Sequence, residues 1–385
     1  HATEPMTTTA YPSLTMVGTE AKTQPVEPVP STCRTVVVKR IESREAAVEY
    51  LVESARTGAT CLWVRNAVDE AIAAVEWLRE RDCRAKILHA RFAYGDRLRH
   101  EDATMRRYGR DGTKREGQVL VATQIIEASL DLDFDVMVTD LAPIGSLIQR
   151  AGRLWRHMDR RPAHYRPAQA PILAVLSPDP DKVEDDRWLD PLLGGGAHVY
   201  RHDHLWLTAR ILFRVGVIEA PAGLRTLIEA VHGPDAEELP VPLERKLREA
   251  EGTALAESAQ AQQNVVVPEN GYLGGIQGRV WSEEKFPTRL GQEDATLVLA
   301  RHGSDGLIPW CEGDTPARAW ALSEVRCNRR RLPGGLPDQL SPIIAEAKSD
   351  WPRGKREHLL LCPVSGDGGI CEGLYYDPEW GLRFT

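Results

Sequence analysis

Short apolar segments alternate with helical patterns from residue 31 to residue 178, and this alternation restricts the fold more than any other feature of the sequence. The segments are rich in β-branched residues and nearly free of polar positions, which suits strands of a parallel sheet buried on both faces. The sequence therefore predicts an α/β domain with helices on both faces of its sheet. The predicted strands are TVVVKRI (35–41), ATCLWVR (59–65), AKILHA (85–90), QVLVAT (118–123), FDVMVTD (134–140) and PILAVLS (171–177).

Three further regions differ from this domain in texture. Residues 1–30 carry five prolines without an apolar period, which predicts an extended segment. Residues 179–263 predict a helical region that ends in a long, weakly apolar, proline-started helix, as is typical of a linker. Residues 264–385 contain short apolar runs separated by Gly and Pro, which predict a small β-rich domain.

Composition excludes several classes of protein. The chain has 385 residues, which is enough for two domains with separate cores. It contains neither an apolar run of membrane-spanning length nor a secretory signal, so we expect a cytoplasmic protein without membrane contact. Its seven cysteines form no C-x-x-C pair, which argues against a disulfide framework or a zinc site and predicts buried thiols.

Positive charge is concentrated in two segments. The net charge of −8 argues against binding nucleic acid by bulk electrostatics alone. Residues 81–115 are nevertheless rich in Arg and Lys, and residues 150–166 contain six arginines. This distribution is compatible with phosphate binding on one face.

Residues 149–157 read QRAGRLWRH. On a helix with about 100° per residue, Gln149, Arg153 and Arg156 fall within roughly 60° of one another, while Arg150 lies off this stripe and is expected to support it from behind. Guanidinium groups on one stripe suit a multivalent oxyanion such as a phosphate chain. An ordinary solvated helix face fits the same pattern.

Three alternating carboxylates, Asp131, Asp133 and Asp135, follow Thr123 at the end of a predicted strand. Exposed loop atoms at the carboxyl edge of a parallel sheet can contact a ligand. Alternating acids can also hold a divalent cation, but we expect these carboxylates to point in different directions and predict no metal site. For His202-Asp203-His204 we likewise prefer a polar helical turn to a metal site.

A Thr followed eight residues later by Asp, then a strand, then Q-R-x-G-R-x-x-R, resembles the fifth and sixth motifs of superfamily 2 helicases, which lie in their second RecA-like domain. More narrowly, LWVRNAVDEA (62–71), LHARFAYGDR (88–97) and DLAPIGSLIQRAGRLWRH (140–157) resemble the CRISPR-associated helicase-nuclease of type I systems, particularly its subtype E form. TEPMTTTAYPSLT near the start and TRLGQEDATLVL further on extend the resemblance over nearly the whole chain.

The resemblance implies a domain organisation and an activity. Residues 1–30 would be an extended remnant of a preceding RecA-like domain, 31–178 the second RecA-like helicase domain, and 264–385 a C-terminal accessory domain. The intact protein would be an ATP-dependent single-stranded DNA translocase that unwinds target DNA and feeds it to a nuclease domain in CRISPR interference. The implied cofactors are ATP and Mg. The implied partners are single-stranded DNA, the RNA-guided surveillance complex, and the N-terminal nuclease and first RecA-like domains.

The resemblance also implies roles for individual residues. Gln149, Arg153 and Arg156 would face ATP, with the two arginines as fingers for the γ-phosphate, and Asp131 would accept a hydrogen bond from the ribose. Backbone phosphates of the DNA strand would be contacted by Thr123, Asn66 and Arg91. The sequence departs from the family pattern at Ala128, Gly145 and Trp155, where Gln, Asp and His are common.

Two helicase motifs do not occur in this sequence. It has neither a G-x-x-x-x-G-K-[ST] loop nor a D-E-x-H run, which would provide the phosphate cradle and the magnesium-holding acids. Because the chain begins at His1 instead of Met, we expect it to be a fragment, and because these two motifs are missing we expect it to be inactive alone.

Several interpretations stay open at this point. Another superfamily 2 helicase of RNA or of DNA repair, or a catalytically inactive RecA-like adaptor, would share parts of the pattern. In the C-terminal region, some aromatic and basic residues could stack on bases and grip phosphates, or could be core aromatics and surface charge. These residues are Trp281, Arg289, Trp310, Arg329, Arg330 and Arg331.

Overall fold

The computed structural model describes residues 11–18, 21–127, 130–263 and 294–385. The chain divides into two compact units. The first unit comprises His1–His89 and His100–Lys246, and the second comprises Ala90–Arg99 and Leu247–Thr385.

The first unit is built on a seven-stranded sheet with the order β5-β6-β4-β7-β8-β3-β9. Neighbouring strands run parallel, except that β9 is antiparallel to β3 at the edge. The strands are β3 (Arg34–Ile41), β4 (Cys61–Val64), β5 (Arg84–Leu88), β6 (Gln118–Ala122), β7 (Val136–Asp140), β8 (Ile172–Leu176) and β9 (Val217–Ala220), preceded by a separate antiparallel hairpin of β1 (Ser13–Val17) and β2 (Ala21–Pro25).

The central strands have no solvated side. Every residue of β4, β6 and β7 is buried, which requires cover on both faces of the sheet. α1 and α2 pack against each other and the sheet, and α4, α6 and α7 form a second contacting group. The predicted α/β fold is thereby confirmed. The helices are α1 (Arg44–Arg56), α2 (Val68–Arg79), α3 (Tyr94–Tyr108), α4 (Ile144–Ala151), α5 (Asp190–Leu193), α6 (His202–Val215), α7 (Leu224–His232) and α8 (Glu244–Gln263).

The sheet extends beyond the sequence segment assigned to it. β9 follows α6 and lies outside residues 31–178, so the chain returns to the sheet after the helical region begins. The proline-started pattern before residue 264 forms α8, as predicted, and its described side chains are mostly exposed. α8 begins in the first unit and continues into the second.

The second unit contains two small sheets. β10 (Asp294–His302) pairs antiparallel with β11 (Leu307–Pro309) and β12 (Glu324–Asn328), and parallel with β13 (Leu360–Pro363). A three-stranded antiparallel sheet, a group of short helices and residues 90–99 complete the unit. Those strands are β14 (Gly369–Cys371), β15 (Leu374–Asp377) and β16 (Gly381–Phe384), and the helices are α9 (Pro316–Leu322), α10 (Pro342–Ala347) and α11 (Arg353–His358).

Segment 90–99 is anchored in the second unit through Asp96. This carboxyl is 1% exposed and accepts hydrogen bonds from Trp310 Nε1 at 2.9 Å and from the hydroxyl of Tyr376. The Tyr376 hydroxyl in turn accepts from the Ala93 amide at 2.9 Å. Burial, followed by the Asp96 charge, raises the pKa of Tyr376, which keeps its hydroxyl protonated as a donor. Trp310 is therefore part of this core.

Cysteine burial follows the prediction only in part. The thiols of Cys61, Cys83, Cys311, Cys327 and Cys362 are buried, but Cys33 is exposed and Cys371 is intermediate. Cys33 stands in the connection between the hairpin and β3, where no layer covers it. Within the described ranges, no helix combines the length and apolar character needed to cross a membrane.

The chain immediately before β7 is held by two buried carboxylates and two arginines. Arg166 donates to both oxygens of Asp133 at 3.0 Å and to Asp135 at 2.8 Å. Arg161 donates to Asp133 at 2.9 Å and to Asp135 Oδ2 at 2.8 Å. The side chains of Asp133, Asp135 and Arg166 are 0% exposed. We refer to these four residues as the acid–arginine network.

The network shows that one expectation about the carboxylates was wrong. Asp133 and Asp135 point to the same partners, because residues two apart in an extended chain lie on the same face. It also shows that Arg161 and Arg166 are engaged inside the protein, although both were counted among the cations available for phosphate. A buried carboxylate requires a cation or several hydrogen-bond donors as partners. The two aspartates next to a fully apolar strand are therefore the sequence signal that could have identified Arg161 and Arg166 as internal residues.

The paired Asp133 carboxyl contributes to the acid sensitivity of the first unit. Burial raises the pKa of Asp133, but the charges and hydrogen bonds of Arg166 and Arg161 outweigh burial, so the pKa is lowered from 3.8. A carboxyl whose pKa is lower in the folded state stabilises the fold above its unfolded pKa. That stabilisation is lost as the pH falls through the folded pKa.

We predict that Asp133→Asn lowers the free energy of unfolding by about 3–5 kcal/mol at neutral pH, because it leaves buried guanidinium charge without its partner. Urea unfolding monitored at several pH values measures this. The parent should lose stability below pH 3.8 more steeply than the variant. Asp131→Asn is the control, because Asp131 is 47% exposed and its removal should cost little. Equal losses for the two variants would contradict the role given to the network.

Two glycines at the second position of their helices offer a matched test of packing. A Cβ on Gly95 in α3 would lie 2.8 Å from Cys311 Sγ, whereas one on Gly145 in α4 would meet nothing within 4 Å. We expect Gly95→Ala to destabilise the second unit by about 1–3 kcal/mol through overpacking. Gly145→Ala should be neutral or stabilise by up to about 1 kcal/mol, because alanine favours helix. Thermal melts of both variants measure the difference, and a stable Gly95→Ala would contradict the close packing.

Candidate functional site

The arginines of QRAGRLWRH do not lie on one helix. α4 ends at Ala151 with Gly152 as its C-cap, so Gln149 is on the last helical turn while Arg153 and Arg156 lie in the turn that follows. The predicted helical stripe was wrong in this respect. The reason is tertiary: Phe134 N donates to Arg153 O and Trp155 N donates to Phe134 O, both at 3.0 Å. Trp155 adopts a left-handed φ of 49° to allow this bridge.

The turn still brings three of the predicted nucleotide-site residues together. Arg153 donates from Nε to Ile126 O at 3.2 Å and from Nη2 to Glu127 O at 2.9 Å. Arg156 donates from Nε to Asp131 Oδ1 at 2.5 Å, and its backbone amide donates to Asp133 at 2.7 Å. Gln149 is exposed on the last turn of α4.

Positive charge accumulates at this turn. Burial lowers the pKa of Arg153, the neighbouring Arg156 lowers it further, and Asp131 acts in the opposite direction. Two guanidinium groups held close together with one exposed carboxylate leave an excess of positive charge. Such an arrangement is suited to binding a multivalent oxyanion through charge-assisted hydrogen bonds.

Arg150 is buried behind the turn after α4, as expected from its position off the predicted stripe. Its side chain is 0% exposed. It donates to Glu127 Oε1 at 2.8 Å, to Thr139 Oγ1 at 2.7 Å and to Asp140 O at 3.2 Å. All of these acceptors are internal, so Arg150 links α4 to the end of β7 and to the loop that contacts Arg153.

Trp155 packs into the acid–arginine network. Its indole nitrogen donates to Asp135 O at 3.1 Å, and the Arg166 guanidinium lies 5.2 Å from the ring centroid. The large ring at this position, where the resembling family often has His, therefore contributes to the core beneath the turn. Gly145, another departure, lies on the exposed side of α4. Ala128 lies outside the described residues.

Thr123 and Asn66 lie at the carboxyl ends of β6 and β4, away from the amino end of β7 where the turn sits. The expectation of exposed atoms at Thr123 was wrong, since Thr123 is 4% exposed, and Asn66, predicted as a DNA contact, is 3% exposed. The Asn66 side chain donates to Leu141 O at 2.8 Å, and Gln124 donates to Asn66 O at 2.8 Å. These internal hydrogen bonds fix the two loops to each other.

Arg91 belongs to the second unit. Its guanidinium lies 5.3 Å from the Phe384 ring centroid, and its carbonyl accepts from Leu382 N at 2.8 Å. The Arg331 guanidinium lies 4.3 Å from the same ring centroid, and Arg329, Arg330 and Arg331 are all exposed. Trp281 and Arg289 lie outside the described residues.

His202 and Asp203, at the start of α6, form hydrogen bonds within the protein. His202 Nε2 pairs with Ala197 O at 3.1 Å, and Arg201 donates to both oxygens of Asp203. Burial is the main reason that the pKa of His202 and of His204 is lowered. Among the residues that the structure describes, no group of three or more His, Cys, Asp and Glu side chains is placed to hold a metal ion.

Comparison with known proteins gives consistent matches. Residues 57–159 match the family described as CRISPR-associated nuclease/helicase Cas3, C-terminal. The Cas3 endonuclease/helicase of Thermus thermophilus is 31% identical over 328 residues, which is 77% of this chain and 34% of that protein. The Escherichia coli K12 protein is 33% identical over 172 residues, which is 43% of this chain and 17% of that protein. The chain therefore spans a minor part of these relatives.

Solved structures agree with the sequence matches. A CRISPR-associated protein crystal structure has a TM-score of 0.77 at 25% identity, covering 100% of this chain and 44% of the other. T. fusca Cas3 with ATP has a TM-score of 0.77 at 22% identity, covering 100% of this chain and 46% of the other. The fold of this chain is thus the RecA-like helicase fold with its C-terminal extension. The chain is a homologue of the C-terminal portion of the Cas3 nuclease/helicases.

Proposed function

We propose that this chain forms the second motor half of an ATP-dependent single-stranded DNA translocase that acts in CRISPR interference. The observation that supports this most directly is the turn after α4, where Arg153 and Arg156 lie beside Asp131 with an excess of positive charge. T. fusca Cas3, a structural relative, has been solved with ATP, ADP and AMPPNP. The nucleotide is proposed to lie between this turn and a preceding RecA-like domain.

The proposed chemistry is phosphoryl transfer assisted by fixed charge. Arg153 and Arg156 would stabilise the equatorial oxygens of the γ-phosphate as charge redistributes, which in related enzymes contributes roughly a thousandfold or more in rate. Asp131 would release Arg156 and accept a hydrogen bond from the ribose of ATP instead. Gln149 would orient the phosphate chain. Mg and its carboxylate ligands are assigned to the preceding domain, since this sequence lacks those motifs.

The contacts with single-stranded DNA are proposed to be independent of the DNA sequence. Because Thr123 is 4% exposed, its proposed contact with a backbone phosphate requires the loop after β6 to open, and Arg91 of the second unit is proposed as a separate phosphate contact. The Asn66 side-chain amide donates to Leu141 O, so we propose that Asn66 holds the conformation of the loop that would lie next to the DNA strand. The proposed partners are single-stranded DNA, an N-terminal nuclease domain and an RNA-guided surveillance complex. A structure of such a complex before nicking contains a chain similar to this one, with a TM-score of 0.70 and 22% identity. We place the protein in the cytoplasm, where such complexes would meet DNA.

We predict that the chain alone shows no DNA-stimulated ATP hydrolysis, because it provides only half of the proposed site. In a full-length protein that includes the preceding domains, Arg153→Ala and Arg156→Ala should each lower kcat at least about a hundredfold. Nucleotide affinity should change much less there, because the preceding domain is proposed to supply most of the phosphate contacts, which the 385-residue chain alone does not have. Arg153→Lys should be almost as damaging, because an ammonium lacks the planar fork. Steady-state turnover with single-stranded DNA measures these effects.

Arg150→Ala is the control for this experiment. It should lower the melting temperature strongly, because Arg150 is fully buried on internal acceptors, whereas Arg153→Ala should melt close to the parent. Parent-like turnover in both Arg153→Ala and Arg156→Ala would support the inactive adaptor instead.

We predict that single-stranded DNA binding by this chain is weak, salt-sensitive and indifferent to sequence. Arg91→Glu should lower the affinity in fluorescence anisotropy with labelled oligonucleotides of two different sequences. Arg301→Glu, which makes the same change of charge at an exposed position of the same unit, controls for net charge. A sequence preference that persists at high salt would argue for base recognition and against a translocase.

A further inference from the structure

Arg34 is a third arginine at the turn after α4, although it comes from a distant part of the sequence. It is the first residue of β3 and is half-buried. Its Nη1 donates to Gly152 O at 3.2 Å and to Leu154 O at 3.4 Å. These two carbonyls flank Arg153, so Arg34 holds the turn on both sides of that residue.

Arg34 and Arg156 share an acceptor. Arg156 Nη1 also donates to Gly152 O, at 3.4 Å, so one carbonyl oxygen contacts both guanidinium groups. The pKa of Arg34 is lowered by burial first and by the charge of Arg156 second, while Asp133 opposes the shift. Two like charges that compete for one neutral acceptor repel each other, and a bound anion would relieve this repulsion.

Each of the three arginines keeps donors that are not engaged. Among the residues that the structure describes, no acceptor is bonded to Nε or Nη2 of Arg34, to Nη1 of Arg153 or to Nη2 of Arg156. The nearby acids are occupied elsewhere: Glu127 pairs with Arg150, and Asp133 pairs with Arg166. Asp131 pairs with Arg156, and its charge also acts on Arg153.

We propose that Arg34 is a contact residue of the oxyanion site and binds a phosphate chain together with Arg153 and Arg156. Nη1 fixes the turn, and Nε with Nη2 provides a fork for a phosphate oxygen. This inference rests on the proposed nucleotide site and extends it with a residue outside the helicase motifs. The ligand class is a polyphosphate, either free or as the tail of a nucleoside triphosphate.

The test is calorimetric titration of the 385-residue chain with inorganic tripolyphosphate at low ionic strength. Arg34→Gln should raise Kd about tenfold or more, since hydrogen bonds to charged groups are lost. Its binding should also depend less steeply on salt than that of the parent, because one cation is missing from the contact. Arg34→Lys should restore the salt dependence and only part of the affinity. Arg84→Gln is the matched control: Arg84 is likewise the first residue of a strand, is exposed, and should leave Kd unchanged.

Distinct results separate this inference from the proposed function. If Arg153→Ala loses binding while Arg34→Gln binds like the parent, the nucleotide site stands and the role of Arg34 is rejected. A weaker Kd in Arg34→Gln with the salt dependence of the parent also rejects it, because Arg34 would then act only on the turn. If the parent shows no saturable binding, or if Arg153→Ala and Arg156→Ala bind like the parent, both the nucleotide site and the role of Arg34 fail.

Discussion

The acid–arginine network is the interaction on which the rest of the site depends. Asp133 and Asp135 are fully buried before β7, and Arg161 and Arg166 each pair with both of them, which supplies the cations that buried carboxylates require. The network is reinforced from β4, where Thr60 N donates to Asp135 Oδ2 at 2.9 Å. The Asp133 carboxylate also accepts from the Arg156 amide, so a charge that anchors the strand also positions the turn. A change in the network would therefore displace the turn that carries Arg153 and Arg156.

The arginines between 150 and 166 consequently perform different tasks despite similar sequence surroundings. Arg150, Arg161 and Arg166 satisfy internal acceptors and are buried or mostly buried, whereas Arg153 and Arg156 keep part of their donors unengaged. Guanidinium groups suit both tasks because they stay charged when buried and bind carboxylates or phosphates through the same planar fork. The internal group gives the turn rigidity. That rigidity is what electrostatic stabilisation of a transition state requires, since preorganised charges do not have to reorient during the reaction.

The two predicted sets of ligand contacts occupy different places in the first unit. Asp131, Arg153 and Arg156 lie near the amino end of β7, whereas Thr123 and Asn66 lie at the carboxyl ends of β6 and β4. The segment from Thr123 to Asp135 connects the two places, and Arg153 contacts it directly through Ile126 O and Glu127 O. In the proposed motor, this segment is the physical link through which a change at the nucleotide would reach the strand.

The sequence by itself determined the α/β class, the six parallel strands and most helices, because nearly all-apolar runs and 3.6-residue periods report burial locally. It also singled out Arg153 and Arg156 by their spacing in Q-R-x-G-R-x-x-R and Asp131 by its position eight residues after Thr123, and the roles of these residues at a nucleotide stay predictions. Only the tertiary structure decided that α4 ends at Ala151, because the bridge between Phe134 and Leu154 competes with the helix. It also decided which arginines are internal and that Arg34 joins the turn from 118 residues away in the sequence. These outcomes depend on pairing between distant segments, and a single sequence carries no local signal for which buried carboxylate a given arginine will meet.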